Sequence, residues 1–180
     1  CKLQRCLTLT GEGANGKSVL MDVLQAVFPP EVVRHIPLQE FGNEYYLAGL
    51  SGCQVNLVGD APDGDVARSA TFKSVICGEG VVARHPGGRP FEMKCKASFL
   101  FACNELPGSS DLSRGYWRRM MVLEWSRSFE QGAEGTIQGL GALICDTELQ
   151  YVLAWMIEGA TRLIARGDYE VPPSSAEAHA

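Results

Sequence analysis

The sequence predicts an α/β fold organised around a glycine-rich loop between a buried strand and a helix. The loop, Gly11-Glu12-Gly13-Ala14-Asn15-Gly16-Lys17-Ser18, fits the phosphate-binding pattern of Gly, four residues, Gly, Lys, Ser or Thr. Before it, Cys6-Leu7-Thr8-Leu9-Thr10 is a β-prone run without polar alternation, as in a central parallel strand. After it, apolar residues recur at helical spacing until Pro29-Pro30: Val19, Leu20, Val23, Leu24, Val27 and Phe28.

The residue types of this loop suit a nucleoside triphosphate. Its glycines let the backbone, including Ala14 and Asn15, approach phosphate oxygens at a helix N-terminus. Lys17 is placed to neutralise the β- and γ-phosphates, and the Ser18 hydroxyl to join Mg²⁺. A glycine-rich turn that binds nothing is the alternative. We predict ATP with Mg²⁺ rather than GTP, because no Asn-Lys-x-Asp guanine-reading element is present.

Composition indicates one domain of ordinary character. The 180 residues are 46% apolar and 21% charged, and no run approaches the roughly 18 apolar residues of a membrane span. The net charge of −5 means that nucleic acid would have to meet a local basic patch. Seven cysteines without a C-x-x-C pair argue against zinc and fit a reducing cytoplasm. Because the chain starts at Cys1 with the loop close behind, we expect a fragment of a longer polypeptide.

Three further buried strands are predicted, and two of them end in polar candidates. The strands are residues 54–60, 97–103 and 120–125. Asp60 could hold the Mg²⁺ shell or polarise the attacking water, with a helix cap as the alternative and Asp63 as a weaker substitute. Asn104 could hydrogen-bond the γ-phosphate or the water, although an Asn near Pro is also common in turns.

Two groups of basic residues have both a functional and an ordinary interpretation. Arg118 and Arg119 enter the last strand either as a surface salt-bridge pair or as an arginine finger for a neighbouring subunit's triphosphate. Residues 81–94 read as a hairpin whose tip is flanked by Arg84, His85 and Arg89. These side chains suit phosphate-backbone contact, and a solvated surface loop is the alternative.

The remaining segments are predicted from periodicity. Residues 37–50 suggest loop and short helix, and residues 65–77 a helix with Asp65 as a possible cap. Residues 147–166 carry an apolar stripe that predicts a terminal helix packed on the core. Residues 171–180, with Pro172-Pro173-Ser174-Ser175, read as a linker or tail after a domain that spans 1–170.

The ordered set of motifs resembles the helicase domain of the phage/plasmid primase family, a superfamily 3 group related to the poxvirus-type primase-helicases. The resemblance runs from about Leu7 to Tyr169. The matching pieces are Gly13-Ala14-Asn15-Gly16-Lys17-Ser18, Val55-Asn56-Leu57 before Asp60, Phe72-Lys73 before Gly78-Glu79, Ala102-Cys103-Asn104-Glu105-Leu106-Pro107, Asp111 to Arg119, and Trp155 with Glu158-Gly159.

The resemblance implies a P-loop NTPase with an AAA+-like three-layer αβα core, a β-hairpin insertion and a C-terminal helical segment. Such proteins form homo-hexameric rings that move 3′-to-5′ on single-stranded DNA in a bacterial or phage-infected cytoplasm. By residue, the implied Walker A pair is Lys17 and Ser18, the Walker B acid Asp60, the sensor Asn104, the trans finger Arg118 or Arg119, and the DNA contacts Lys73, Arg84, His85 and Arg89.

Two departures from the family pattern keep other functions open. The Walker B strand usually ends in two acids, whereas Gly59 precedes Asp60 here, and Glu79 stands where relatives often carry Asp. An ATP-binding assembly module with little turnover is therefore one alternative. A small-molecule phosphotransferase is another, with Arg114, Arg118 and Arg119 as a lid set.

Overall fold

A computed structural model describes residues 3–60, 69–106, 113–129, 132 and 135–178. Its elements in chain order are β1 (Cys6–Thr10), α1 (Lys17–Val27), β2 (Val33–Arg34), α2 (Glu44–Gly49), β3 (Val55–Val58), α3 (Ser69–Cys77), β4 (Gly80–Ala83), β5 (Phe91–Lys94), β6 (Ser98–Cys103), α4 (Arg114–Trp117), β7 (Met120–Glu124), α5 (Leu140–Thr147), α6 (Leu149–Arg166) and α7 (Pro173–Ala178). Two 3₁₀ helices span Pro30–Val32 and Leu38–Gly42.

A five-stranded sheet in the order β2-β3-β6-β1-β7 forms the centre of the fold. Every strand pairing in it is parallel, and the register places Thr10 opposite both Cys103 and Glu124. The carboxyl ends of β1, β6 and β7 therefore meet at one edge, where the glycine-rich loop begins. This confirms the predicted α/β class and the four predicted strands. The two-residue edge strand β2 was not predicted.

Both faces of the sheet are covered, because alternate residues of each central strand point to opposite sides. From β6, Phe99, Phe101 and Cys103 join a core with residues of the 3₁₀ segment, α2, α3 and α4. Leu100 and Ala102 join a second core with α1. The predicted helix after the loop is confirmed as α1, and the predicted short helix in residues 37–50 as α2. Of the helix predicted over 65–77, residues 69–77 are helical and 65–68 lie outside the described residues.

The predicted hairpin is confirmed as β4 and β5, which form a separate antiparallel pair. Val81 and Ala83 on β4, with Met93 on β5, point into the core. Val82 points away and is 60% exposed. One face of the hairpin is therefore fixed to the domain while its tip projects.

The apolar stripe of α6 does not pack on the core as predicted. No residue of this helix is buried. One edge of the stripe, Val152, Met156 and Leu163, is half-buried, whereas Trp155 and Ile164 are 58% and 82% exposed. The main contacts of the helix are with α1 and α5, and only one narrow face is covered.

A helix that crosses a membrane needs about 20 consecutive, mainly apolar residues. Within the described ranges, no single helix is both long and apolar enough to cross a membrane. Together, α5 and α6 meet the length and composition criteria, but they are bent by 85° at their junction.

Part of the predicted tail packs against the edge of the sheet. Ser175 is fully buried, and its Oγ accepts a hydrogen bond from Val122 N at 2.7 Å. Ser174 Oγ donates to Val122 O at 2.9 Å. Residues 173–178 therefore form α7 and cover the outer edge of β7, where unpaired backbone groups would otherwise face solvent. The serines that suggested a linker serve here as hydrogen-bonding partners.

Burial of Cys6 predicts a stability loss at high pH. Burial raises the pKa of this thiol from 9.0 to about 12, and its Sγ donates to Arg119 O at 3.3 Å. Above pH 9 the unfolded chain releases the proton while the folded chain keeps it, so the free energy of unfolding falls as pH rises, by up to about 1.4 kcal/mol per pH unit. Urea unfolding across this window should show a smaller slope in Cys6→Ala. Cys145→Ala, which removes a half-buried thiol from α5, is the comparison that separates the effect of burial from the loss of a thiol as such.

Candidate functional site

The glycine-rich loop begins directly after β1 and ends at the N-terminus of α1. Gly16 is the N-cap with φ 87°, and Ala14 also has a positive φ of 58°. These left-handed conformations turn the loop back over the helix start. Among described residues, no backbone carbonyl accepts from the N–H groups of residues 12–16. The loop therefore presents donors at the positive end of α1, as an anion site requires.

Lys17 lies inside the curve of this loop. The residue is only 6% exposed. Its Nζ donates to Gly11 O at 2.5 Å, Glu12 O at 3.3 Å and Asn15 Oδ1 at 3.0 Å. The ammonium group is therefore held by oxygens of the loop itself, next to the backbone donors.

The loop shares a cleft of about 420 Å³ with the ends of two neighbouring strands. The lining includes Lys17, Ser18, Asp60 and Asn104, which come from three separate segments. Asp60 and Asn104 are exposed at the carboxyl ends of β3 and β6. The structure thus brings together the four residues that the sequence singled out for phosphate, magnesium and water.

This donor set fits a triphosphate with Mg²⁺. Lys17 and the loop N–H groups are suited to phosphate oxygens, and Ser18 and Asp60 supply the hard oxygen ligands that Mg²⁺ prefers. The part of the chain that the structure describes contains no group of three or more His, Cys, Asp or Glu residues arranged for a metal. Mg²⁺ does not need such a group, because it commonly binds through one or two protein oxygens, phosphates and water.

Gly59 lies in the same cleft, where a second acid would stand in the resembling family. A Cβ added there would meet only Met21 atoms, at 3.9 and 4.0 Å. The position thus has room for a side chain. The single acid at this strand end reflects the sequence rather than a lack of space, and the weaker substitute Asp63 lies outside the described residues.

A second cavity of about 560 Å³ also adjoins the loop. Its wall includes Trp125, Ser126 and Arg127, which follow β7 and were not predicted as site residues. Trp125 N donates to Thr10 O and Phe129 N to Ala14 O, both at 2.7 Å. The sequence signal was available, because a residue that follows a parallel strand next to β1 must lie at the edge where the loop starts.

The two adjacent arginines have different environments. Arg119 is only 7% exposed, its Nε and Nη2 lie 3.2 and 2.9 Å from Cys77 Sγ, and its Nη1 donates to Gly115 O. Arg119 is therefore committed within the domain, which argues against the prediction that it reaches another subunit. Arg118 is exposed and remains the candidate finger.

Arg118 lies at the amino ends of the strands, whereas the loop of its own chain lies at their carboxyl ends. It lines a cavity of about 470 Å³ with Arg5 and Arg114, just before β7 begins at Met120. Lys17 follows the carboxyl ends of the strands, about 16 Å away along a five-residue strand. Arg114 and Arg118 are thus poorly placed as a lid over the same chain's triphosphate.

The basic hairpin residues also separate into two kinds. Arg84 donates to Gly88 O at 3.1 Å and lies 3.5 Å from Glu44 Oε1, so it shapes the turn and ties it to α2. His85 is exposed and stacks on Phe91 with centroids 5.1 Å apart, and Arg89 is exposed. Lys73 is half-buried and lies on α3 beside Gly115 of α4, not on the hairpin itself. His85 and Arg89 are the better-placed candidates for contact with a phosphate backbone.

Asn56, part of the motif before Asp60, has a structural role. It is fully buried. Its Nδ2 donates to Ile36 O and its Oδ1 accepts from Ile36 N, both at 2.9 Å. The side chain thus fastens the segment after β2 to β3 and fixes the strand that precedes Asp60.

A protein-family model matches this chain. Residues 9–119, more than half of its length, match the model described as "Family of unknown function (DUF5906)". The chain belongs to this family. The matched span of DUF5906 includes the loop, the Asp60 and Asn104 strand ends and both arginines of residues 118–119.

Similarity to individual proteins extends over most of the chain. "Putative helicase L207/L206" of Acanthamoeba polyphaga mimivirus is 27% identical over 135 residues, which are 71% of this chain but only 14% of that protein. An apo structure of the NrS-1 C-terminal region superposes with a TM-score of 0.62 at 17% identity, covering 81% of this chain and 35% of that one. A further apo structure of that region gives 0.59 at 18% identity, with 82% and 36% covered. The structural matches show a shared fold.

Proposed function

We propose that this domain hydrolyses ATP as the helicase domain of a phage or plasmid replication primase-helicase. The observation that carries the proposal is the single cleft that contains Lys17, Ser18, Asp60 and Asn104. The similarity to a protein named as a putative helicase supports a nucleic acid as the partner, and we propose that it is DNA. The sheet order, with the loop strand between the β6 and β7 strands, supports an AAA+-like P-loop core of superfamily 3.

Each residue of the cleft has a separate role in this proposal. Bound ATP with Mg²⁺ supplies the phosphoryl group and the divalent charge. Lys17 and the loop N–H groups bind the β- and γ-phosphates, and Ser18 contributes a hydroxyl ligand. Asp60 either completes the magnesium shell or polarises the attacking water, and Asn104 orients that water or the γ-phosphate.

The arrangement of Arg118 favours a ring. Its exposed position at the edge opposite its own loop suits contact with the triphosphate of a neighbouring subunit. We propose a homo-hexamer of the longer protein in which Arg118 acts in trans. The projecting hairpin, with His85 and Arg89, then contacts single-stranded DNA in the channel.

The experiment is an ATPase assay of the chain with and without single-stranded DNA, beside Lys17→Ala. We expect DNA to stimulate turnover and the variant to abolish it, because the ammonium that binds the phosphates is lost. Lys96→Ala, which removes the same charge from an exposed position, is the matched control and should behave as wild type. Turnover that persists in Lys17→Ala would contradict the proposal.

One observation favours a second candidate function, that of an AAA+-type assembly module, which binds ATP with little turnover. Gly59 leaves Asp60 as the single acid at its strand end. That candidate predicts tight ATP binding without hydrolysis, even with DNA present and with the full-length protein. A small-molecule phosphotransferase is less favoured, because Arg114 and Arg118 lie at the amino ends of the strands, whereas the cleft lies at the carboxyl ends.

A further inference from the structure

The side chain of Asn15 joins the loop lysine to the segment that follows β7. Asn15 is only 4% exposed. Its Oδ1 accepts from Lys17 Nζ at 3.0 Å, and its Nδ2 donates to Trp125 O at 3.1 Å. A single amide therefore connects the proposed phosphate-binding ammonium group to a main-chain carbonyl 110 residues away in sequence.

The chemistry of the two partners fixes the orientation of this amide. An ammonium group can only donate, and a backbone carbonyl can only accept. The Asn15 oxygen must therefore face Lys17 and its nitrogen must face Trp125. A flipped amide would lose both hydrogen bonds inside a buried site, where an unsatisfied polar group costs about 1–3 kcal/mol.

The Trp125 carbonyl is itself held in place against the loop. Trp125 N donates to Thr10 O at 2.7 Å, which continues the pairing of β1 with β7. Gly11, with φ 143°, passes so close that a Cβ there would overlap both Trp125 O and Asn15 Nδ2. The glycine at this position thus leaves the space that the Asn15–Trp125 hydrogen bond occupies.

We propose that Asn15 is a positioning residue, which sets the direction of Lys17 from the fixed carbonyl of Trp125 rather than contacting the nucleotide. The inference deepens the proposed function and rests on it where turnover is concerned. Because Nδ2 is directed at Trp125 and Oδ1 at Lys17, both polar ends of the amide are used within the protein. Asn15 is thereby distinguished from the loop N–H groups, to which sequence reasoning had joined it as a nucleotide ligand.

The proposal predicts different kinetics for two substitutions. Asn15→Ala removes the hydrogen bond that orients the Lys17 ammonium group. The contact of this group with the transferring phosphoryl group matters most in the transition state. We expect kcat to fall about 10–100-fold, with the Kd for ATP within about threefold of wild type. Asn15→Asp places a carboxylate beside the ammonium and opposite a carbonyl. It should raise the Kd at least about tenfold, because it competes with phosphate for Lys17.

A labelling measurement tests the positioning without nucleotide. Lys17 is buried and its amine has three acceptors, so an amine-reactive ester should modify it slowly. We expect Asn15→Ala to raise the labelling rate of Lys17 severalfold, as followed by peptide mass spectrometry. Asn43→Ala is the control, because Asn43 also uses its amide oxygen in the fold, as the cap that accepts from Tyr45 N at 3.0 Å on α2.

The outcomes separate this inference from the proposed function. Faster Lys17 labelling with reduced kcat and nearly unchanged Kd in Asn15→Ala, but not in Asn43→Ala, supports it. Unchanged labelling overturns it, whether kcat is retained or lost, since a loss of kcat alone would mean direct contact with the nucleotide. If the wild-type chain neither binds nor hydrolyses ATP, the proposed function fails, and the labelling rates still decide whether Asn15 positions Lys17.

Discussion

Replacing Arg118 by alanine in the full-length protein is expected to lower DNA-stimulated ATP turnover by about 10³–10⁵-fold, the range found for trans-acting arginine fingers. The side chain is exposed, so the free energy of unfolding should change by no more than about 0.5 kcal/mol. Steady-state ATPase rates, together with urea unfolding of the same preparation, measure the two quantities. A variant that retains turnover within a few-fold would contradict a finger role for Arg118.

Mixing two inactive variants tests whether the arginine acts between subunits. Lys17→Ala lacks the phosphate-binding ammonium but retains Arg118, and Arg118→Ala has the reverse defect. If the site is shared, random assembly of equal amounts restores one complete site at about one quarter of the interfaces, because the two halves come from different subunits. Activity of the mixture that stays at the level of the separate variants would exclude complementation in trans.

The neighbouring Arg119 supplies the matched control. Its guanidinium contacts Cys77 and Gly115 inside the domain, so Arg119→Ala leaves these groups without partners. We expect a stability loss of about 1–3 kcal/mol, with residual turnover that follows the folded fraction. The two adjacent arginines should therefore differ, one acting on rate and the other on stability.

The parts of the fold and site that the sequence predicted are those encoded locally. The loop carries its conformation in its glycines and its chemistry in Lys17 and Ser18, and a parallel strand must precede it. Asp60 and Asn104 were singled out as polar residues at the ends of predicted buried strands. Their shared cleft agrees with the rule that carboxyl ends of neighbouring parallel strands meet at one edge.

The features that sequence reasoning missed depend on contacts between distant segments. Periodicity indicates that α6 has an apolar face but not how much of it a neighbour covers, and here α1 and α5 cover one edge. The choice between Arg118 and Arg119 depended on Cys77, which is 42 residues away. The contact between Asn15 and Trp125 likewise required the register of β1 with β7.

The 3₁₀ segment Leu38–Gly42 shows the same limit in the core. Its weak periodicity predicted only loop and short helix, yet Phe41 is fully buried. The ring meets Phe99 and Phe101 of β6 at centroid distances of 5.6 and 6.2 Å, edge-on in both cases. Such pairs add to the free energy of burial. An irregular segment thus supplies a central side chain of one core.

Phe41→Ala is consequently expected to reduce the free energy of unfolding by about 3–5 kcal/mol, because a buried ring is removed and a cavity remains between two fixed aromatic partners. Urea unfolding followed by circular dichroism measures the change. Tyr45→Ala on α2, where the ring is 48% exposed, is the control and should cost about 0.5 kcal/mol or less.

The consequence of Phe41→Ala for the site follows from the strand that Phe41 supports. Phe99 and Phe101 lie on β6, which ends directly before Asn104. At temperatures where the variant is still folded, we expect ATP turnover to fall more than ATP affinity, because Asn104 is placed by β6 whereas Lys17 is placed by the loop. A cost below about 1 kcal/mol would mean that the cavity collapses, and the turnover effect should then vanish with it.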